Sequence, residues 1–77
     1  MVSSMMTATQ VKAARALLGW RQADLADRSG VSEVSIKNFE RGSTDARGST
    51  LSKIERSLEA EGIEFIADGV KFKPKVP

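Results

Sequence analysis

Residues 21–42, RQADLADRSGVSEVSIKNFERG, contain two short amphipathic segments on either side of Gly30. Each is shorter than the ~12–15 residues that an isolated helix needs in water. A sharp turn between two helices requires a residue with positive φ, which glycine adopts without steric cost. Ala26, four residues earlier, is small enough to let the helices approach closely. Apolar contacts between them would come from Leu25, Val31, Ile36 and Phe39. The stretch is typical of a helix-turn-helix unit.

An amphipathic helix is predicted before this unit. Thr7 and Gln10 have the spacing of a capping box and Thr9 is a rival cap, so the helix begins at one of these threonines. Apolar residues then recur at helical spacing until Gly19, which stops the run. Residues 1–6 carry no such pattern and are expected to form a flexible arm.

A third and a fourth helix follow. Ser32 caps the third helix, which is the second segment of the unit and ends at Gly42. The turn-rich stretch GSTDARGST then leads to a fourth helix that begins at Ser49 or Thr50 and stops at Gly62. Its apolar face consists of Leu51, Ile54 and Leu58. The sequence therefore predicts a mainly α fold, a compact four-helix bundle.

The final stretch, residues 63–77, changes to the alternating pattern of β-strands. Asp68-Gly69 is the signal for a two-residue type I′ hairpin turn. A turn there pairs Ala67 with Val70, Phe65 with Phe72, and Glu64 with Lys73. Pro74 closes the second strand because it cannot donate to the ladder. The sequence therefore predicts a short C-terminal β-hairpin or strand.

The composition restricts the functions open to these 77 residues. Cysteine, histidine and tyrosine are absent, which removes disulfides, the commonest metal ligand and the usual general base. We therefore expect no enzymatic activity, no metal and no cofactor. No apolar run approaches the ~20 residues of a membrane span, and the N-terminus lacks a secretory signal pattern. The expectation is a cytoplasmic protein with a mildly basic net charge of +2.

The helix-turn-helix stretch also resembles a known family. The matching groups are Gln22-Ala23-Asp24-Leu25-Ala26, Gly30-Val31-Ser32, Ser35-Ile36 and Phe39-Glu40-Arg41-Gly42. Together they are similar to the phage-repressor (Xre, lambda-repressor-like) helix-turn-helix family, over about residues 9–62. The resemblance implies a compact helical bundle that binds operator DNA, with residues 7–62 as the DNA-binding domain. Many members have a fifth helix where this chain has IEFIADGVKFK, and some small bacterial members have a short β-element there.

The resemblance places the recognition helix at residues 32–41. The major groove admits one α-helix, whose N-terminal side chains meet base edges. The positions that resemble the family's base-reading residues are Ser32, Glu33, Val34, Lys37 and Asn38. Val34 is suited to touch a thymine methyl group and Asn38 to pair with adenine. Glu33, whose charge is unfavourable near phosphates, either accepts from cytosine or points away from the DNA. Lys37 is suited to reach guanine or a phosphate.

Other positions resemble the family's contacts to the DNA backbone and its structural ion pair. Phosphate binding is implied for Gln22, Ser35, Arg41, Ser43, Thr44 and Arg47. Gln22 is also expected to brace the recognition helix. Arg15 and Glu40 match a partly buried ion pair between the first and third helices, to which we give a structural role only.

Some residues have a structural interpretation that competes with a functional one. Trp20 lies in a loop next to apolar residues, so packing against the hydrophobic core is favoured over contact with DNA. Protection of an edge strand against aggregation is favoured over DNA contact as the role of Lys71, Lys73 and Lys75. Neither set is therefore counted among the predicted DNA-binding residues.

These patterns predict a sequence-specific, repressor-like transcriptional regulator that binds double-stranded DNA. One recognition helix spans few base pairs, so we expect a homodimer on an inverted-repeat operator. The hairpin offers an edge strand through which two copies could pair, burying Ile63, Phe65 and Phe72. The alternative is an antitoxin-like or adaptor module that uses the same bundle to bind a protein partner, such as a toxin or another regulator.

Overall fold

A computed structural model describes residues 6–42 and 48–74 of the chain. Its elements are α1 (Ala8–Leu18), α2 (Gln22–Ser29), α3 (Glu33–Glu40), α4 (Gly48–Glu59), β1 (Ile63–Ile66) and β2 (Gly69–Phe72). The predicted mainly α fold with a C-terminal β-hairpin is confirmed. Within the described ranges, no helix has the length and apolar character needed to cross a membrane.

Local sequence signals determine where the first three helices begin and end. The Thr7 hydroxyl accepts from the Gln10 backbone N–H at 3.1 Å, and the Thr7 N–H donates to Gln10 Oε1 at 2.9 Å. This is the predicted capping box, so Thr7 rather than Thr9 is the cap. Ser32 caps α3 by accepting from the Ser35 N–H at 3.1 Å. Side-chain caps satisfy backbone donors that the first helical turn leaves unpaired.

The fourth helix begins earlier than predicted. α4 starts at Gly48, before both Ser49 and Thr50, so neither of these residues is its N-cap. Its C-terminal end matches the prediction more closely: the helix ends at Glu59, and the chain turns at Gly62 with a φ of 92°. Positive φ is the reason that glycine suits this turn into the hairpin.

The core lies where the helices and the hairpin meet. α2 packs against α3 and α4, α1 packs against α3 and β2, and α4 packs against β1. The largest fully buried side chains are Leu25, Ile36, Ile54, Leu58, Ile63 and Val11. Burial of each such side chain contributes about 1.5–3 kcal/mol. Because Ile63 belongs to β1, the hairpin is part of this core.

The expected flexible arm at residues 1–6 needs one correction. Met6 is buried and packs in the core cluster, so the packed domain begins before Thr7. Residues 1–5 lie outside the described ranges. A methionine is flexible enough to fill an irregular gap at the edge of a core, which sequence periodicity alone does not indicate.

The hairpin register differs from the prediction. β1 and β2 are antiparallel, with Ile63 opposite Phe72, Glu64 opposite Lys71, Phe65 opposite Val70, and Ile66 opposite Gly69. The turn is therefore Ala67-Asp68, and the predicted pairs of Ala67 with Val70, Phe65 with Phe72, and Glu64 with Lys73 are wrong. The type I′ turn is also wrong, because it needs positive φ at both central residues and no described non-glycine residue has it.

The observed register makes better use of the end of the hairpin. The predicted register would set Ile63 opposite Pro74, which has no N–H to donate. In the structure the Lys73 N–H donates to the Gly62 carbonyl at 2.7 Å, and Pro74 follows as the predicted stop. The register moves by two residues, so each side chain stays on the face that was predicted for it.

Gln10 connects the first helix to the hairpin turn. Its side-chain amide donates to the Ile66 carbonyl at 2.6 Å and to the Gly69 carbonyl at 3.0 Å. Its Oε1 completes the capping box at Thr7. Gln10 is buried, so these bonds are shielded from water. One side chain thus caps α1 and holds the two carbonyls that flank the turn.

We predict that Gln10→Glu destabilises the domain by at least about 2 kcal/mol, because a carboxylate oxygen would replace the amide donor beside two carbonyl oxygens. The other carboxylate oxygen can still accept from the Thr7 N–H. Thr7→Ala is the control, since it removes only the hydroxyl cap, at a cost of about 1 kcal/mol. Urea denaturation measures both. A smaller loss for Gln10→Glu than for Thr7→Ala would contradict the role of the amide in holding the hairpin.

Candidate nucleic-acid interface

The unit formed by α2 and α3 is held by a tight turn and by buried apolar side chains. Gly30 has a φ of 76°, and its N–H donates to the Ala26 carbonyl at 3.0 Å. The Val31 N–H donates to the Ser29 hydroxyl at 3.2 Å. Leu25 and Ile36 are fully buried and anchor the two helices to the core. The hydrogen bonds at the turn and one buried side chain in each helix therefore fix the angle between α2 and α3.

An ion pair connects α1 to the C-terminal end of α3. Arg15 Nε donates to Glu40 Oε2 and Arg15 Nη2 donates to Glu40 Oε1, each at 2.7 Å. The side chains are 18% and 3% exposed, respectively. Two parallel N–H···O bonds give this pair directional specificity as well as charge attraction. The structure thus brings together the two residues that the sequence resemblance pairs.

Two more groups complete this network. Arg15 Nη1 donates to the Trp20 carbonyl at 2.9 Å, and Gln22 Nε2 donates to Glu40 Oε1 at 3.1 Å. Gln22 at the start of α2 therefore braces α3 through Glu40. Burial by itself would raise the pKa of Glu40, but the hydrogen bonds from Arg15 and Gln22 outweigh it and hold that pKa below its ordinary value.

The start of α2 carries a second, exposed pair. The Arg21 N–H donates to Asp24 Oδ2 at 2.8 Å, and Arg21 Nη2 lies 3.1 Å from Asp24 Oδ1. These hydrogen bonds from the side chain and backbone of Arg21 lower the pKa of Asp24 to about 2. An acidic side chain is also favourable in the first turn of a helix, where the helix dipole is positive.

The outward surface of α3 carries most of the predicted base-reading residues. Ser32, Glu33, Val34 and Lys37 are all exposed, and Val34 retains 66% of its accessible surface. Asn38 is half-buried. The opposite side of the helix, with Ile36 and Glu40, faces the domain. The exposed set therefore forms one surface on a helix that the ion pair and the core hold in place.

Three of the predicted phosphate-binding residues lie in the first turns of α2 and α3 or directly after α3. Arg41 is exposed immediately after α3, and Gln22 is half-buried beside Glu40. Ser35 is exposed in the first turn of α3, where its hydroxyl accepts from the Ser32 hydroxyl at 3.0 Å. The remaining predicted phosphate contacts lie outside the described residues; they are Ser43, Thr44 and Arg47.

Trp20 has the packing role that its loop position predicts. It is partly buried against the core, and the Arg28 guanidinium lies 5.0 Å from the centre of its ring. Arg28 also pairs with Glu61 at 3.1 Å. Sequence reasoning missed this cluster, because the Arg28–Glu61 contact joins α2 to the turn after α4 and leaves no local pattern.

The three residues proposed for a homodimer interface are not equally accessible. Ile63 is fully buried within its own chain, so it has no surface to offer a second copy. This removes Ile63 from the expected interface. Phe65 is partly buried against the core, and Phe72 remains 48% exposed. Only Phe72 of the three presents a large apolar surface.

We predict that Arg15→Met lowers the free energy of unfolding at pH 7 by about 3–5 kcal/mol, since it leaves Glu40 buried without its cation. Without Arg15, burial raises the folded-state pKa of Glu40 above the unfolded value of about 4.3. The variant should therefore regain stability as the pH falls through that raised pKa. The wild type has a lowered Glu40 pKa, so it loses the contribution of this pair as the pH falls below the unfolded value.

Two further variants test this interpretation of Arg15. Arg15→Met combined with Glu40→Gln removes the stranded charge and should be more stable than Arg15→Met alone. Arg21→Met, which breaks the exposed pair with Asp24, should change stability little. Denaturant titrations between pH 4 and pH 8 compare the proteins. If the difference in free energy of unfolding between wild type and Arg15→Met stays constant across this pH range, the destabilisation does not have the proposed electrostatic origin.

Comparison with known proteins identifies the family. A family model described as Helix-turn-helix matches residues 11–65 of the 77 residues. A comparison with curated proteins finds no match. The matched range includes α2, the turn at Gly30 and all of α3, together with both residues of the Arg15–Glu40 pair. This chain belongs to the Xre, lambda-repressor-like helix-turn-helix family of DNA-binding regulators.

Proposed function

We propose that this protein is a sequence-specific transcriptional regulator that places α3 in the major groove of double-stranded DNA. The observation that carries the proposal is the division of α3 into two sides. Ile36 and Glu40 anchor its inner side, while its first turn offers exposed side chains to a partner. A recognition helix needs both a fixed orientation and accessible N-terminal side chains.

The exposed side chains are chemically suited to several base edges. Glu33 is an acceptor for the cytosine amino group, and Val34 supplies an apolar contact for a thymine methyl group. Lys37 can donate to guanine or to a phosphate, and the half-buried Asn38 has the amide that pairs bidentately with adenine. The Ser32 hydroxyl can hydrogen-bond either to an acceptor or to a donor group on a base edge. A mixed surface of this kind discriminates between base pairs, whereas a purely basic one would bind phosphates without selecting sequence.

Contacts to the DNA backbone would orient this surface. Arg41 lies exposed at the end of α3, and Ser43, Thr44 and Arg47 follow it in the sequence, outside the described ranges. Gln22 and Ser35 lie at the first turns of α2 and α3, where backbone N–H groups and the helix dipole favour phosphate oxygens. These six residues form the proposed phosphate-binding set.

Two copies are proposed to act on each operator. A single recognition helix limits specificity, so members of this architecture read two half-sites about 34 Å apart. An inverted-repeat operator would hold two copies related by twofold symmetry. We propose that this regulator acts in the cytoplasm and has a repressor-like role. Sedimentation with a selected operator duplex should give two copies per duplex. One copy per duplex at saturation would contradict this part of the proposal.

We predict that Arg41→Ala weakens binding to an operator selected from random DNA and to unselected DNA by similar factors, because phosphate contacts do not specify sequence. The slope of log K against log salt concentration should decrease in magnitude by about one. Arg56→Ala, on the exposed surface of α4, is the matched control and should leave the slope unchanged. An unchanged slope for Arg41→Ala would exclude Arg41 from the phosphate contacts.

A double-mutant cycle tests Val34 as a base-reading residue. Replacing thymine by uracil at one position of each half-site removes a methyl group and should weaken wild-type binding by about 1 kcal/mol per half-site. Val34→Ala should lose affinity for the thymine operator and lose little more when uracil is introduced. Additive losses from the two changes, or no sensitive thymine at any position, would show that Val34 does not contact a methyl group.

A further inference from the structure

The hydrogen-bond pattern of the hairpin determines which backbone groups point outward. The bond from the Lys73 N–H to the Gly62 carbonyl identifies these two residues as a hydrogen-bonded pair. Such pairs alternate along an antiparallel ladder, so Lys71 with Glu64 and Gly69 with Ile66 also point towards each other. The remaining residues of β2, Val70 and Phe72, therefore direct their N–H and C=O groups away from β1.

The outer edge of β2 is open within the described part of the chain. None of the backbone–backbone hydrogen bonds that the described residues form outside the ladder involves Val70 or Phe72. Lys71, Phe72, Lys73 and Pro74 are all exposed. α1 packs against β2, but β2 is exposed from Lys71 onward, whereas in β1 Ile63 is fully buried and Glu64 and Phe65 are half-buried. An added strand would therefore meet fewer obstacles at β2.

A second copy of β2 is a poor occupant of this edge. Antiparallel pairing that uses the outward groups of Val70 and Phe72 sets Lys71 opposite Lys71 of the second copy. Centring the pairing on Phe72 instead sets Lys71 opposite Lys73 and uses Pro74, which has no donor. Like charges directly opposite each other are destabilising. These two registers oppose the strand-paired homodimer that the sequence suggested, and a register centred on Val70 avoids the like charges only by setting Phe72 opposite Asp68, which lies outside β2.

The same lysines favour a strand of opposite charge. Neither Lys71 nor Lys73 forms a salt bridge among the described residues, and both lie on the outward side of the sheet, away from Phe72. A strand added antiparallel to β2 would set two side chains beside these ammonium groups. The residue between these two on the added strand would place its side chain beside Phe72, which is 48% exposed.

The geometry points to a docking site for an extended segment of another protein, in which acidic and apolar residues alternate, at the outer edge of β2. Main-chain hydrogen bonds to Val70 and Phe72 would provide the affinity, as in other cases of strand addition. Lys71 and Lys73 would select acidic residues, and Phe72 an apolar one. This partner is separate from DNA, so the site does not depend on the proposed function of α3.

The test uses two blocked heptapeptides and the full-length protein labelled with nitrogen-15. One peptide alternates glutamate with valine, and the other has lysine in place of glutamate. The glutamate peptide should shift the amide resonances of Val70 and Phe72 and protect these two amides from hydrogen exchange. It should bind on the order of tenfold more tightly than the lysine peptide, because two cross-strand charge pairs change sign.

The variant Lys71→Glu/Lys73→Glu should reverse the preference between the two peptides. Binding of neither peptide, or equal binding of both, would overturn the proposal and leave the lysines as protection against strand pairing. If the Val70 and Phe72 amides are already protected from exchange in the absence of peptide, and dilution of the protein removes that protection, a second copy occupies the edge. That result would also overturn the proposal. A weaker salt dependence of DNA binding in the variant would assign the lysines to DNA instead.

Discussion

The Arg15–Glu40 pair determines how the surface of α3 is presented. It joins α1 to the last turn of α3, and Gln22 adds the start of α2 to the same carboxylate. Without it, α3 would be held by the apolar contacts of Ile36 and Phe39 and by the tight turn before it. Since a recognition helix must enter a groove only slightly wider than itself, small changes in its angle would move its first turn away from the base edges.

The rest of the domain supports this arrangement. Buried Leu25 and Ile36 fix the inner sides of α2 and α3, and the hairpin closes the core through Ile63. Gln10 in turn holds the hairpin turn against α1. The consequence is a domain with two separate outward features, the exposed first turn of α3 and the open edge of β2. A regulator built this way can contact DNA and a protein through different elements.

The accuracy of the sequence predictions follows the range of the interactions involved. The caps at Thr7 and Ser32 and the turn at Gly30 depend on neighbours within four residues, and the sequence identified all three. The hairpin also makes long-range contacts, since Gln10 bonds to carbonyls 56 and 59 residues away on either side of its turn, and no local pattern indicates them. The alternating pattern indicated the two faces of the hairpin correctly. It did not indicate that the core would cover Ile63 completely, which leaves Ile63 no surface to contribute to the predicted dimer interface.

Amide shift mapping with an operator duplex tests the central claim, that α3 enters the major groove, most directly. The operator is first selected from random DNA with the wild-type protein, and then titrated into protein labelled with nitrogen-15. The account predicts the largest shifts within residues 32–38 and at Arg41, with little change at the exposed surface of α4 or at β2. Tight binding with shifts concentrated in the hairpin or α4, and none in α3, would contradict it.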